Sequence, residues 1–222
     1  MTNSKKKNNV AAVVPFYNES STVNQVILQS LKYVSHIIAV DDGSTDDSLQ
    51  KISQNKSVTV IRFDDNCGKG SALAAGLSKG TELGFDILIT IDADLQHNPV
   101  EIPLLISELE LHDIVIGNRL NDVSLMPLQR RMSNKITSYL LSKKTGQKLL
   151  DSQCGFRAYS SKVINNINTK YSGYEAESEM LVLASRKNFK IGFVDISTIY
   201  GDEKSKMNPF KAIFGFIKIL FI

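Results

Sequence analysis

Tryptophan is absent from the 222 residues, and cysteine is confined to Cys67 and Cys154. Two cysteines with no short spacing between them exclude a disulfide framework and a zinc site, so a reducing, cytosolic setting is expected. Proline is scarce, and no Pro-rich linker, internal repeat or low-complexity block divides the chain. Nowhere do about eighteen apolar residues run together, which leaves no segment able to span a bilayer. Lys5, Lys6 and Lys7 lead only into a short apolar stretch at 10–14 that Pro15 closes, so no secretory signal is read there. The net charge of +3 is too small to imply a nucleic-acid partner, and none is expected.

What the chain does have is a 42% hydrophobic content, enough for one core and one domain. Runs rich in β-branched residues at 10–14, 36–40, 58–63, 86–91 and 113–116 read as buried strands. Between them, Val23, Val26, Ile27, Leu31 and Val34 form an apolar stripe at helical spacing. Leu73 with Leu77, then Ile102, Leu105, Ile106 and Leu109, form two more. This alternation predicts an α/β domain whose largely parallel sheet is covered by helices on both faces. After Gly117 the pattern is helical over 128–144, 161–167 and 175–187, before a last strand-like run at 190–199.

Polar residues gather just after the strands. Pro15-Phe16-Tyr17-Asn18-Glu19 follows the first, Asp41-Asp42-Gly43-Ser44 the second and Asp64-Asp65-Asn66 the third. Asp92-Ala93-Asp94 follows the fourth and Gly117-Asn118-Arg119 the fifth. Ligands of open α/β sheets bind at the carboxyl ends of the strands, so the five segments are expected to converge on one site.

Each segment carries its own chemistry. If the chain stays extended beyond the fourth strand, Asp92, Asp94 and Gln96 share a face. Two carboxylates and an amide oxygen make a hard ligand set suited to Mg²⁺ or Mn²⁺ bridged to a diphosphate. Asp41 and Asp42 open a turn, and either turn chemistry or acceptance of hydrogen bonds from a base or ribose accounts for them. Around Lys69 the Walker pattern fails, since Phe63 and Gly70 stand at its required positions. What remains is a Gly-flanked Lys at a helix N-terminus, read either as an anion site or as a solvated side chain. Arg119 and the pair Arg130-Arg131 are candidates for binding phosphate, with at most one of the pair facing a given site. The segment 151–157 reads as a loop with a carboxylate, a glycine and an arginine. Glu175, Glu177 and Glu179 cannot all face one site, and at least one is expected in solvent. His36, His97 and His112 show no ligand spacing and read as surface or supporting residues.

Taken in order, six motifs resemble the dolichyl- or polyprenyl-phosphate sugar synthases of glycosyltransferase family two. They are Pro15 to Glu19, Val40 to Asp46, Asn66 to Gly70, Asp92 to His97, Gly117 to Arg119 and Asp151 to Arg157. The resemblance implies a GT-A fold, a single Rossmann-like domain with a mostly parallel mixed sheet, over 9–207. A flexible basic tail at 1–8 and an amphipathic helix at 208–222 would flank it. It implies an inverting transferase that moves a hexose, mannose or glucose, from a GDP- or UDP-linked sugar to a lipid phosphate with Mg²⁺ or Mn²⁺. The donor would meet Pro15, Tyr17, Glu19, Asp41, Asp42, Asn66, Lys69, Asp92, Ala93, Arg119 and Arg131. The metal would take Asp92, Asp94 and Gln96, catalysis would involve Asp151, Asp94 and Arg119, and the acceptor would meet Ser133, Arg157 and Lys206. Three positions depart from the family pattern: Asn118, Cys154, and the segment 201–206, which lacks an arginine ahead of its Ser205-Lys206 pair.

An acceptor phosphate carries most of its second charge near neutral pH, with a pKa of about 6, so Asp151 need only orient. Phe210, Ile213, Phe214, Ile217 and Phe221 fall on one helical face, which either lies in a membrane interface or packs on the domain or another protomer. A peripheral position on the cytoplasmic face of a membrane is therefore expected. Two other readings stay open: a transferase acting on a soluble glycan, and an inactive membrane-associated binding module.

Overall fold

Strand and helix alternate as the spacing predicts in a computed structural model of the chain, which describes residues 9–124, 126–199 and 209–222. The first half runs β1 (Val10–Phe16), α1 (Val23–Ser30), β2 (His36–Asp41), α2 (Ser48–Lys51), β3 (Val58–Arg62), α3 (Lys69–Glu82) and β4 (Ile87–Thr90). Then come α4 (Ile102–Glu108), β5 (Ile114–Asn118), α5 (Leu128–Thr145), β6 (Arg157–Ser160), α6 (Ser161–Ile164), α7 (Glu175–Arg186), β7 (Ile191–Asp195) and α8 (Pro209–Phe221). The tail at 1–8 and Lys206 lie outside the described residues.

One mixed sheet takes the order β3-β2-β1-β4-β6-β5-β7. Every neighbouring pair is parallel except those of β6, which runs antiparallel to both β4 and β5. Strand β6 is a correction to the sequence reading, which ended the segment 151–157 as a loop. Its four residues, Arg-Ala-Tyr-Ser, are too short and too polar to signal a strand, yet Arg157, Ala158 and Tyr159 are buried. The carboxyl ends of the six other strands and the amino end of β6 meet at one edge of the sheet.

Central strands β1 and β4 are buried almost throughout, as parallel strands covered on both faces must be. Helix α3 lies against β1 and β2. A Cβ on Gly76 would come within 2.3 Å of Val13 Cγ1, so glycine sets how closely that helix can approach. Helix α8 packs on α7 and α5 through buried Gly215 and Ile219, and Lys144 Nζ donates to its Leu220 carbonyl at 3.0 Å. Its Ile213, Phe214, Ile217 and Phe221 face outward, so the tail docks on the domain with one side and leaves its apolar stripe open. No described helix is long and apolar enough to cross a membrane.

Candidate active site

The β1 and β2 loops are tied together before any ligand is considered. Asn18 adopts a left-handed backbone, φ 54°, and its Oδ1 accepts from the amide of Thr45 at 2.9 Å. The amides of Asn18 and Glu19 donate to Ser44 Oγ and Ser48 Oγ at 3.0 and 2.7 Å. Pro15 is buried in β1, while Tyr17 and Glu19 are half-buried at its end.

Asp41 and Asp42 divide two tasks. Asp41 Oδ1 accepts from the Ser44 amide at 2.8 Å, which is turn chemistry, and its Oδ2 lies 3.8 Å from Arg62 Nε. Asp42 reaches to the start of α3, where its carboxylate accepts from the amides of Cys67 and Gly68 at 2.8 and 3.0 Å. Burial raises its pKa against the pull of those amides. The anion expected at this helix start is thus supplied by the chain itself, and Asn66 beside it is exposed.

Lys69 points away from solvent. Its Nζ sits 2.7 Å from Asp92 Oδ1 and 3.3 Å from Glu177 Oε2, with the Tyr174 ring 5.9 Å away. Burial disfavours its charge, but Asp92 and Glu177 outweigh burial and raise its pKa. Burial likewise opposes the charge of Asp92, yet Lys69, His97 and Arg119 together hold its carboxyl below the ordinary range. Gly155 closes this cluster: a Cβ there would meet Asp92 Oδ2 at 2.7 Å and Lys69 Nζ at 2.9 Å.

The segment from Asp92 to Gln96 is a turn, not the extended run assumed from the sequence. Strand β4 ends at Thr90, and Leu95 takes φ 60°. Alternation along a strand therefore does not describe these side chains. Instead, Asp94 Oδ1 accepts from the Gln96 amide at 3.0 Å, Ala93 is buried, and Asp92, Asp94 and Gln96 are each half-buried. The Gln96 carbonyl accepts from the Ile199 amide at 3.0 Å, tying the turn to the chain that leaves β7.

Arg119 emerges from β5 onto Asp151. Its Nε and backbone amide donate to Oδ2 at 2.8 and 3.1 Å, and its Nη2 donates to Oδ1 at 3.0 Å. Asn134 Nδ2 and the Gln153 amide also donate to Oδ1, at 2.6 and 3.2 Å. Asp151 is thus a fully buried carboxylate that accepts five hydrogen bonds, three of them from Arg119. Burial works against its charge, and Arg119 overcomes this and lowers its pKa.

Other expected residues are distributed unevenly. Arg131 is half-buried and Arg130 exposed, as their helical spacing requires, and Ser133 is exposed. Arg157, expected at the acceptor, is instead fully buried. Its Nε, Nη1 and Nη2 donate to the carbonyls of Cys154, Glu177 and Ser152 at 2.7, 2.9 and 2.9 Å. It has no surface to offer a ligand and serves to pin 151–157 against α7.

The structure buries two residues whose place the sequence left open. Glu177, one of three glutamates of which at least one was expected in solvent, is buried between Lys69 and Arg157. Glu179 is buried too, accepting from the amides of Lys170 and Tyr171 at 2.8 and 3.0 Å, and Glu175 is half-buried. His97, read as a surface or supporting residue, lies buried against Phe156, ring centroids 5.4 Å apart, and burial lowers its pKa to about 4.

The assembled edge holds cations, Lys69 and Arg119, each fixed by a carboxylate, beside a turn with two more oxygen-bearing side chains. That suits a ligand with dense negative charge. Known proteins agree with the geometry. The family described as Glycosyl transferase family 2 matches residues 11–167. An uncharacterized protein of Methanocaldococcus jannaschii is 34% identical over 97% of this chain and 90% of its own length. The UDP-N-acetylglucosamine–dolichyl-phosphate N-acetylglucosaminyltransferase of Methanococcus voltae is 32% identical over 85% of this chain and 84% of its own. Among solved structures, the glucosyl-3-phosphoglycerate synthase of Mycobacterium tuberculosis, in complex with Mn²⁺, UDP and phosphoglyceric acid, superposes with a TM-score of 0.72. That match spans 97% of this chain and 79% of the other at 18% identity, a likeness of fold. A mixed sheet with these loops at its edge is the GT-A fold, and the chain belongs to glycosyltransferase family 2.

Proposed function

We propose that the chain transfers a sugar from a nucleotide diphosphate to the phosphate of a polyprenyl lipid, inverting the anomeric carbon. The carrying observation is the clamp of Asp151 on Arg119, whose charge is felt at Asp92. A guanidinium fixed this way meets a diphosphate without reorganising, which is where electrostatic stabilisation is strongest. The acceptor phosphate oxygen attacks the anomeric carbon as the bond to the nucleotide diphosphate breaks, and the electron pair leaves with the diphosphate. Because the phosphate is already ionised, with a second pKa of about 6, no side chain has to remove a proton.

Asp92, Asp94 and Gln96 would hold Mg²⁺ or Mn²⁺. No three His, Cys, Asp or Glu side chains make a cage among the described residues. Such a donor set suits ions that take one or two carboxylates and complete their shell with phosphate oxygens and water. The ammonium of Lys69 at 2.7 Å from Asp92 marks the spot as one that accepts positive charge. When bound, the ion supplies charge neutralisation to the departing diphosphate. Lys69 and Arg119 supply the rest, Arg131 would join them on the donor phosphates, and Ser133 would meet the acceptor. The name of the Methanococcus voltae relative favours UDP and an N-acetylhexosamine over GDP and mannose, and a lipid phosphate over a soluble glycan. Such an acceptor implies a peripheral position at a membrane.

The test is transfer of radiolabelled sugar from UDP-N-acetylglucosamine, UDP-glucose or GDP-mannose, with Mn²⁺, to undecaprenyl phosphate or to a soluble saccharide. Label should enter the lipid extract and be lost with EDTA or in Asp92→Ala and Asp94→Ala. Label found only on the soluble saccharide, or full activity in either variant, overturns the reading.

A further inference from the structure

One ammonium group stands between two carboxylates that belong to different parts of the fold. Lys69 Nζ lies 2.7 Å from Asp92 Oδ1, in the turn after β4, and 3.3 Å from Glu177 Oε2, on α7. The backbone of Lys69 is locked to one of the two. A Cβ on Gly68 would lie 2.6 Å from the Ser172 carbonyl oxygen, and one on Gly70 would lie 2.6 Å from that of Gly173. The Ser71 amide donates to the Ser172 carbonyl at 3.1 Å. The start of α3 is therefore seated against the segment that leads into α7, and Lys69 and Glu177 form a fixed pair. Only the flexible lysine stem is left to swing.

Glu177 has acceptor capacity in reserve. Its Oε1 is buried with no hydrogen-bond donor among the described residues, and Arg157 Nη2 stands 3.8 Å from it. A buried carboxylate oxygen without a donor is costly, and an ammonium carries three N–H donors, enough to serve both oxygens of one carboxylate. Asp92 is in the opposite position. It cannot offer one oxygen to an ammonium 2.7 Å away and also hold a divalent ion without bringing like charges together. A lysine with Asp92 as its only partner would then be stranded in the interior, whereas Glu177 gives it a second place to go.

We propose that Lys69 and the divalent cation compete for Asp92, and that Glu177 is the positioning residue that receives the ammonium when Asp92 passes to the cation. This rests on the metal reading of Asp92, Asp94 and Gln96 given above and adds an order of events to it. An ammonium and a divalent ion are tolerated side by side best when a diphosphate brings its negative charge to both. The ion therefore binds weakly alone and tightly together with a nucleoside diphosphate. When the diphosphate departs, Lys69 returns to Asp92 and the ion is released with the product.

The experiment is equilibrium dialysis of the full chain against radioactive Mn²⁺, with and without UDP, and needs no sugar transfer. In the unmutated chain UDP should tighten Mn²⁺ binding about tenfold or more, within the usual range for coupled sites. Lys69→Met should bind Mn²⁺ alone about tenfold more tightly than the unmutated chain, and UDP should add less. Glu177→Gln should bind Mn²⁺ alone more weakly, because the ammonium then has nowhere but Asp92 to rest. Lys69→Met/Glu177→Gln should behave as Lys69→Met does, since Glu177 acts through the lysine; independent, additive effects would make Glu177 a merely structural residue and overturn its role. Mn²⁺ binding by Lys69→Met that is unchanged or weaker also overturns the proposal. So does an unmutated chain that binds Mn²⁺ equally well with and without UDP, a measurement that stands even if a variant does not fold. Mn²⁺ binding that survives intact in Asp92→Asn would instead sink the metal reading itself. Binding lost in Asp92→Asn but unaltered in Lys69→Met would leave that reading standing and remove only the exchange.

Discussion

Asp151 holds Arg119 at three points, the Nε, the Nη2 and the backbone amide, so position and charge of the guanidinium are set by one buried carboxylate. Asp151→Asn keeps the shape and removes the charge. Transfer should fall about 10²-fold, the scale of a small misplacement in an organised site. The acid limb of the pH–rate profile should keep its position in the variant, because it belongs to the acceptor phosphate. Its disappearance would make Asp151 a general base.

Acid should release the same clamp. Burial resists the charge of Asp151, but Arg119 and Asn134 more than compensate and hold its pKa below the unfolded value near 4. The unfolded chain therefore takes up the proton first as pH falls. The clamp's stabilisation is complete above the unfolded pKa and is lost as pH drops through the folded one. Urea unfolding at pH 7, 5 and 3 should show the wild type losing more stability below pH 5 than Asp151→Asn does. Parallel losses would mean the carboxylate does not govern acid stability.

Gly155→Ala separates site from fold. The added methyl would stand 2.7 Å from Asp92 Oδ2 and 2.9 Å from Lys69 Nζ, both ends of side chains that can swing aside. The expected cost in stability is about 1 kcal/mol, at the low end for overpacking. Donor binding should fall tenfold or more, read by the thermal shift that UDP and Mn²⁺ produce. An unchanged shift would show that the Lys69–Asp92 pair tolerates displacement.

Arg157→Leu should do the opposite, harming the fold first. Three carbonyls and Glu177 would lose their cationic partner in the interior. Breaking a buried charge pair costs about 3–5 kcal/mol. The midpoint of urea unfolding should move accordingly, and a variant as stable as the wild type would reopen a ligand-binding role for this arginine.

Legibility in the sequence followed locality. Asp92 and Arg119 stand at the ends of strands whose β-branched runs are plain, and the rule that ligands gather at carboxyl ends brought their loops together. Glu177 gave no such sign: its neighbours form an ordinary helix, and its importance comes from Lys69, distant in sequence. The geometry around Asp94 was misjudged because a strand was extended past Thr90, whereas Leu95 turns the chain with a positive φ. Arg157 was assigned by motif to a ligand, and only the packing of α7 over β6 reveals that its donors are already taken.

Interleaving of β6 bears on how the chain is made. Strands β4 and β5 touch each other only through β6, which leaves the ribosome after both. During synthesis, β4 can zip onto β1 early, yet its other border stays open until residue 160 has emerged. An open strand border is a template for unwanted pairing. Release of truncated nascent chains ending near residue 150 should therefore yield aggregates, whereas lengthening them past 195, where β7 has also covered β5, should restore solubility.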